Sequence, residues 1–294
     1  MKKDDYTGII ILCAIIGIAL MGGAKNGQQY GFFSPQPKTE EQKRIELEQK
    51  ILDTQQQVEE LKKKVQTEED KKTQSEYKGI VYLQYVNRSD NPKQEYISIR
   101  VNTGTSTIPV TGWTIKSDSS GNSVTIPKGT YLFFTGMLNA EDNVVLQGGD
   151  TLYVNTGISP NGSSFKVNKC SGYLSQFQTF TPSLYTNCPA PRNEDLSSIP
   201  KRVINDDCFD YIDSFPTCRI QTESLSQKWS YECTRFIYDK INYASCVNTH
   251  KNDTDFYQKE WRIYLKRSER LWKDRKEKII LYDNSGKIVD TLTY

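Results

Sequence analysis

Six of the seven cysteines, Cys170, Cys188, Cys208, Cys218, Cys233 and Cys246, fall within one stretch of a 294-residue chain. An even, clustered set either cross-links the chain or ligates a metal. No pair has the C-x-x-C spacing of a zinc site, and His250 is the sole histidine, so the expectation is three disulfides and no metal. Disulfides in turn require an oxidising compartment. Cys170 with Cys188 is the favoured pair, because the two flank a short polar loop. The other four pair either nested, Cys208 with Cys246 and Cys218 with Cys233, or sequentially, with the nested arrangement slightly preferred.

A route to such a compartment is present near the amino end. Residues 8–24, GIIILCAIIGIALMGGA, carry no charge. As a helix at about 1.5 Å per residue they reach roughly 26 Å, enough to span a bilayer if the flanks snorkel. The segment reads as a transmembrane signal anchor following a cytoplasmic n-region, 1–7. A cleaved signal peptide, cut after Ala24, is the alternative. Lys2 and Lys3 favour an inside amino end, and Cys13 is an apolar residue within the run.

Residues 25–38 form a Gly, Pro and Gln-containing linker. From 39 to 76 the chain is charged and Gln-rich. There Ile51, Val58 and Val65 recur at seven and occupy heptad position a, with Leu47 and Leu61 at d. Thr54 and Glu68 take the other d positions and weaken the seam. Two readings stay open: a solvated single helix acting as a spacer, or self-association through residues 44–68 as a coiled coil.

Beyond Lys78 the period changes to that of strands. IVYLQYV (80–86), EYISIRV (95–101), GWTIKS (112–117), SVTIP (123–127), TYLFFT (130–135), NVVLQ (143–147) and DTLYVN (150–155) are separated by Gly, Pro, Asn and Asp-rich breaks. Such spacing predicts a β-sandwich or barrel. In EYISIRV, Ile97, Ile99 and Val101 share a buried face, while Ser98 and Arg100 share a wet one. The 18 tyrosines fit a β-rich exported domain.

Between Cys170 and about Phe256 this rhythm stops. Two helices are expected, a short one at Asp207–Ser214 and an amphipathic one over 225–243 capped by Ser224 or Ser226. Strands resume with WRIYL (261–265), KIILYD (278–283) and KIVDTLTY (287–294), the last two joined by a turn at NSG. The fold class expected for 79–294 is mainly β with a disulfide-rich helical insertion at 170–258.

QEYISIRV, then GWTIKS, SVTIP and KGTYLFF, and finally LW at 271–272 with EKIILYDNSGKIVDTLTY, resemble the lamin-tail domain family. The matching positions are Trp113, Asp283, Gly286, Val289, Asp290 and Tyr294, and the likeness covers 79–169 and 259–294. The resemblance implies an immunoglobulin-like β-sandwich of the kind that bacteria attach to membrane-associated or secreted proteins for interaction or anchoring. The insertion has no counterpart in that pattern, so functions carried by loops do not transfer.

Signals for catalysis are sparse. No G-x-S-x-G elbow, P-loop, H-E-x-x-H or EF-hand pattern occurs. His250 with Asp253 and Asp255 is the one candidate set for acid and base work, in a hydrolase or nuclease. No cofactor is implied. Residues 259–278 hold nine Lys or Arg against four Asp or Glu, interleaved with aromatics. Arg262, Lys266, Arg267, Arg270, Trp272 and Lys273 are therefore candidates for binding a polyanion, a nucleic acid or cell-wall polymer. The competing reading makes them a solvated strand face. The leading expectation is a non-catalytic, membrane-anchored extracytoplasmic protein whose single pass holds it to the membrane and whose partner is a protein or cell-surface polymer.

Overall fold

The computed structural model describes residues 39–134, 138–198, 206–225 and 227–294. The n-region, the apolar run 8–24 and the linker 25–38 lie outside the described residues. Among the described residues no helix is long and apolar enough to cross a membrane. The chain divides into two units, Met1–Lys63 and Lys64–Tyr294.

Helix α1, Glu40–Thr73, begins and ends close to where the charged segment does. Thr39 caps it, its hydroxyl accepting from the Gln42 amide while the Gln42 side chain accepts from the Thr39 amide. Glu40 and Glu41 lie in the first turn and Lys71 and Lys72 in the last, matching the helix dipole. None of its residues is buried.

The second unit is a mixture of helices and sheets. Its strands are β1 Val81–Asn87, β2 Tyr96–Val101, β3 Ile108–Pro109, β4 Thr114–Ser117, β5 Ser123–Thr125, β6 Val145–Leu146, β7 Thr151–Asn155, β8 Phe165–Asn168, β9 Tyr257–Tyr264, β10 Lys278–Tyr282 and β11 Ile288–Thr293. One sheet has the order β1-β2-β7-β9-β8, a second the order β11-β10-β4-β5, and β3 pairs with β6. The pairs are antiparallel except β7 with β9. Both larger sheets feed one apolar cluster that includes Ile97, Ile99, Val154, Trp261 and Ile263 from the first and Ile115, Ile279, Leu281 and Val289 from the second, with Trp113 beside them.

The residues quoted for the family resemblance all have structural work. Asp283 Oδ1 accepts from the amides of Ser285 and Lys287 and so closes the β10–β11 turn, where Gly286 sits at φ +74°. Asn284 donates to the Thr111 carbonyl beside Gly112, whose φ of +90° is strained for any residue with a side chain and so calls for glycine before Trp113. Asp290 Oδ2 accepts from the Leu83 amide at the irregularity in β1, linking the two sheets. Tyr294 donates to the Lys273 carbonyl.

β8 and β9 are adjacent antiparallel strands, so the insertion is an enlarged hairpin connection that leaves and returns at one place. Its root is the bond from the Lys169 amide to the Phe256 carbonyl, 2.9 Å. Among its described residues are the α-helices α2 Asp206–Ser214, α3 Tyr231–Lys240 and α4 Tyr243–His250. With Phe133, Phe165, Val167 and Tyr264 it builds a second apolar cluster around the cystines.

Several expectations need correction here. The three disulfides form, but as Cys170–Cys246, Cys188–Cys218 and Cys208–Cys233. Neither Cys170–Cys188 nor the nested pairs occur. A 3-10 turn at Ser171–Gln176 carries the chain away from Cys170 and packs on α4, which delivers Cys246 instead. Cys208 and Cys233 both lie in first turns, so α2 and α3 meet through their amino-terminal ends. The helix expected over 225–243 is shorter and starts later, at Tyr231 after the cap Ser230, which accepts from the Cys233 amide, and a further helix, α4, follows it, capped by Asn242, which accepts from the Ser245 amide. Of the expected strand TYLFFT, the described residues 130–134 form none. Tyr131 packs on the first cluster while Leu132, Phe133 and Phe134 pack on the second, so the run crosses between cores rather than lying in a sheet. The outer face of β2 is also drier than expected: Ser98 is buried, beside a row in which Tyr85, Tyr96 and Tyr153 contact in turn at 6.1 and 5.5 Å.

Candidate functional site

α4 ends at His250, and the turn that follows places Asp253 one turn away, its amide donating to the His250 carbonyl at 2.9 Å. His250 Nδ1 thereby lies 2.8 Å from Asp253 Oδ2. The other ring nitrogen, Nε2, lies 3.0 Å from Glu194 Oε1, at the end of the short 3-10 turn Pro191–Asn193. Lys169, just past β8, donates to Asp253 at 3.0 Å and to Asp255 at 2.6 Å. Three chain segments are thus joined by alternating charge.

Burial pulls the His250 pKa down, but the hydrogen bonds to Glu194 and Asp253 outweigh it and hold the imidazole above its ordinary value. Asp253 is held below the usual carboxylate range by Lys169 first and His250 second, and Asp255 by Lys169. With a carboxylate against each nitrogen, the ring presents no free nitrogen with which to take a proton from a substrate. Chemically the arrangement is a clamp. Among the described residues, no three or more His, Cys, Asp or Glu side chains converge as a metal site. The sequence brought His250, Asp253 and Asp255 together by proximity. It gave no sign of Glu194 or Lys169, which lie 56 and 84 residues from their partners.

The basic stretch resolves into a surface-lying connection with interior anchors. Arg262 and Trp272 are buried, so neither is placed to meet a polymer. The Arg262 guanidinium donates to Glu260 and to the carbonyls of Pro182 and Ser183, and stacks 4.6 Å over the Tyr153 ring. The competing reading, a solvated strand face, does not hold at Arg262. That face is dry because residues 182–183 of the insertion lie on it. Arg270 pairs with Asp90 and Asp274, Lys273 donates to the Ser119 carbonyl, and the backbone amides of Lys266 and Arg267 bond Gly157 and Thr156. Two buried carboxylates pin this segment. Glu95 accepts from the amides of Leu271 and Trp272, and Glu277 from those of Lys273 and Lys278 and from the Ser117 hydroxyl.

One recess was not legible at all. β9 outruns β7 by three residues, because Thr151 pairs with Glu260, and Tyr257, Gln258 and Lys259 border a cleft of about 720 Å³ with Tyr131, Gln147 and Asp255. Its floor includes Lys166, which donates to Asp150 at 2.7 Å; both are buried. Burial drives the Lys166 pKa down, and Asp150 offsets only part of that.

No family model and no curated protein matches the chain.

Proposed function

We propose that this is a non-catalytic interaction protein held at the outer side of a membrane: an anchor at 8–24, a helical spacer, and a lamin-tail-like, immunoglobulin-like β-sandwich whose stapled insertion faces a protein or cell-surface polymer. The observation that carries the reading is the set of three cystines clustered between Cys170 and Cys246, because such bridges persist only in an oxidising compartment. The uncharged run 8–24 supplies the route there. The sandwich is supported by two sheets that share one apolar cluster, and the family by Trp113 in that cluster, Asp290 bonding across the sheets, and Asp283 with Gly286 closing the β10–β11 turn. A non-catalytic role is supported by the state of His250, whose two nitrogens are both committed to carboxylates.

The test is fractionation of the native host combined with thiol counting. The expected result is a membrane-bound chain, digestible from outside, whose six insertion cysteines react with a maleimide only after reduction. A soluble chain with six free thiols refutes the proposal. A metal-dependent hydrolysis that vanishes in His250→Ala would instead establish the enzyme.

A further inference from the structure

Helix α1 extends over 34 residues without burying one of them. On one side it leaves Leu47, Ile51, Leu61 and Val65 exposed at 59, 49, 54 and 43 %. A helix of this polarity gains little from packing as a single strand, yet it carries an apolar stripe of period seven rather than scattered apolar residues. The occupant of that stripe is specified by what surrounds it. With Ile51, Val58 and Val65 at a, Leu47 and Leu61 take d. β-Branched residues at a with leucine at d favour two strands in parallel over three or four.

The flanking charges agree. In a parallel pair each g residue meets the e residue five positions on in the partner. That sets Lys43 against Glu48 and Lys64 against Glu69, while Lys50 meets Gln55 and Gln57 meets Lys62. Two contacts are attractive and none sets like charges together. An antiparallel pair would turn the g positions toward one another and bring Lys43, Lys50 and Lys64 of both chains together. Thr54, in the middle of the seam, weakens it, and Glu68 ends it.

We propose that the spacer is a parallel, two-stranded coiled coil between two copies of this chain, with a seam from Leu47 to Val65. The proposal rests on the reading of α1 as the spacer of an anchored chain, in which two anchors on one membrane already start the helices in the same direction. Ile45 and Leu52 lie at b, outside the seam, and take no part.

The test uses the full chain in host membranes, in a Cys13→Ala background so that no other unpaired cysteine remains. Leu61→Cys is oxidised with copper phenanthroline and compared with Gln56→Cys, at the outward f position. The expected result is a two-chain product with Leu61→Cys and little with Gln56→Cys. Position 61 meets its own copy in a parallel pair; in an antiparallel pair centred on the seam the two lie about 15 Å apart along the axis. Sedimentation of the full chain in micelles is expected to give the mass of two copies. Glu48→Lys with Glu69→Lys should raise the dissociation constant roughly tenfold or more, and adding Lys43→Glu with Lys64→Glu should restore it. Equal cross-linking at 61 and 56, a mass of one or three chains, or a charge swap without rescue overturns the proposal. Cross-linking at 61 in a chain found in the soluble fraction removes the anchor and leaves the dimer.

Discussion

The bridge Cys170–Cys246 spans 76 residues and encloses the other two, which interlace with each other. Removing it by Cys170→Ala with Cys246→Ala therefore does not release a 76-residue loop. The shortest remaining covalent path follows residues 170–188, crosses to 218, runs back to 208, crosses to 233 and ends at 246, roughly 40 residues. In the chain-entropy treatment, closing a loop of that size removes unfolded-state freedom equivalent to about 4 kcal/mol at 25 °C. The direct loops of Cys188–Cys218 and Cys208–Cys233, 30 and 25 residues, give about 3.5 kcal/mol each. Interlacing thus compresses the ranking, and the longest bridge is expected to exceed the others by only about 0.5 kcal/mol. For a unit the size of Lys64–Tyr294, about 4 kcal/mol lowers Tm by roughly 8–16 °C. The assay is a thermal melt of the full chain without reductant, after peptide mapping has shown the other two bridges intact. A loss of less than about 3 °C would refute the covalent-path reasoning, as would a Cys170–Cys246 effect several times that of either other bridge.

His250, as the sole histidine, gives a single imidazole resonance, whose titration should fall above pH 6.5; a midpoint at or below that value removes the clamp. Because its folded pKa is raised, the stabilisation is fully present below about pH 6.5 and is lost as pH rises through the folded pKa; Asp253, depressed, contributes above about pH 3.9 and loses its share as pH falls. Tm should accordingly decline from pH 6 to 8, and His250→Gln should flatten that decline. Lys166→Met leaves Asp150 charged and buried and should cost about 3–5 kcal/mol in urea unfolding, much of it recovered by adding Asp150→Asn; equal stabilities of the single and double variants would contradict this. Replacing Lys266, Arg267, Arg270 and Lys273 together by alanine should leave heparin retention unchanged, and an earlier, less salt-dependent elution would restore the polyanion reading.

What could be read from the sequence was what local periodicity encodes. Helix α1 was visible because no Gly or Pro interrupts a charged run of that length, and the β10–β11 turn because Asp283 and Gly286 are themselves the turn. α2 was placed within a residue. What escaped depends on contacts remote in sequence. The cystine partners were misread because the 3-10 turn after Cys170 and the cap at Asn242, which together align Cys170 with Cys246, have no apolar period. The charges of β9 read as a solvated face, whereas the burial of Arg262 depends on residues 182–183, some 80 positions earlier. Phe133 and Tyr131 looked like one strand because both are aromatic, although they serve different cores. Half of the clamp, His250 with Asp253, follows from closeness in sequence; Glu194 and Lys169 arrive only with the fold.

The insertion departs from the sheet and rejoins it at Lys169 and Phe256, and Cys170–Cys246 lies just inside that doorway. A single backbone cut anywhere between residues 171 and 245 consequently leaves both pieces of the chain attached, separable on a gel only after reduction. Such a module can be nicked by a protease and remain in one covalent piece, and the tips of its loops can lengthen or change without releasing the strands that carry them.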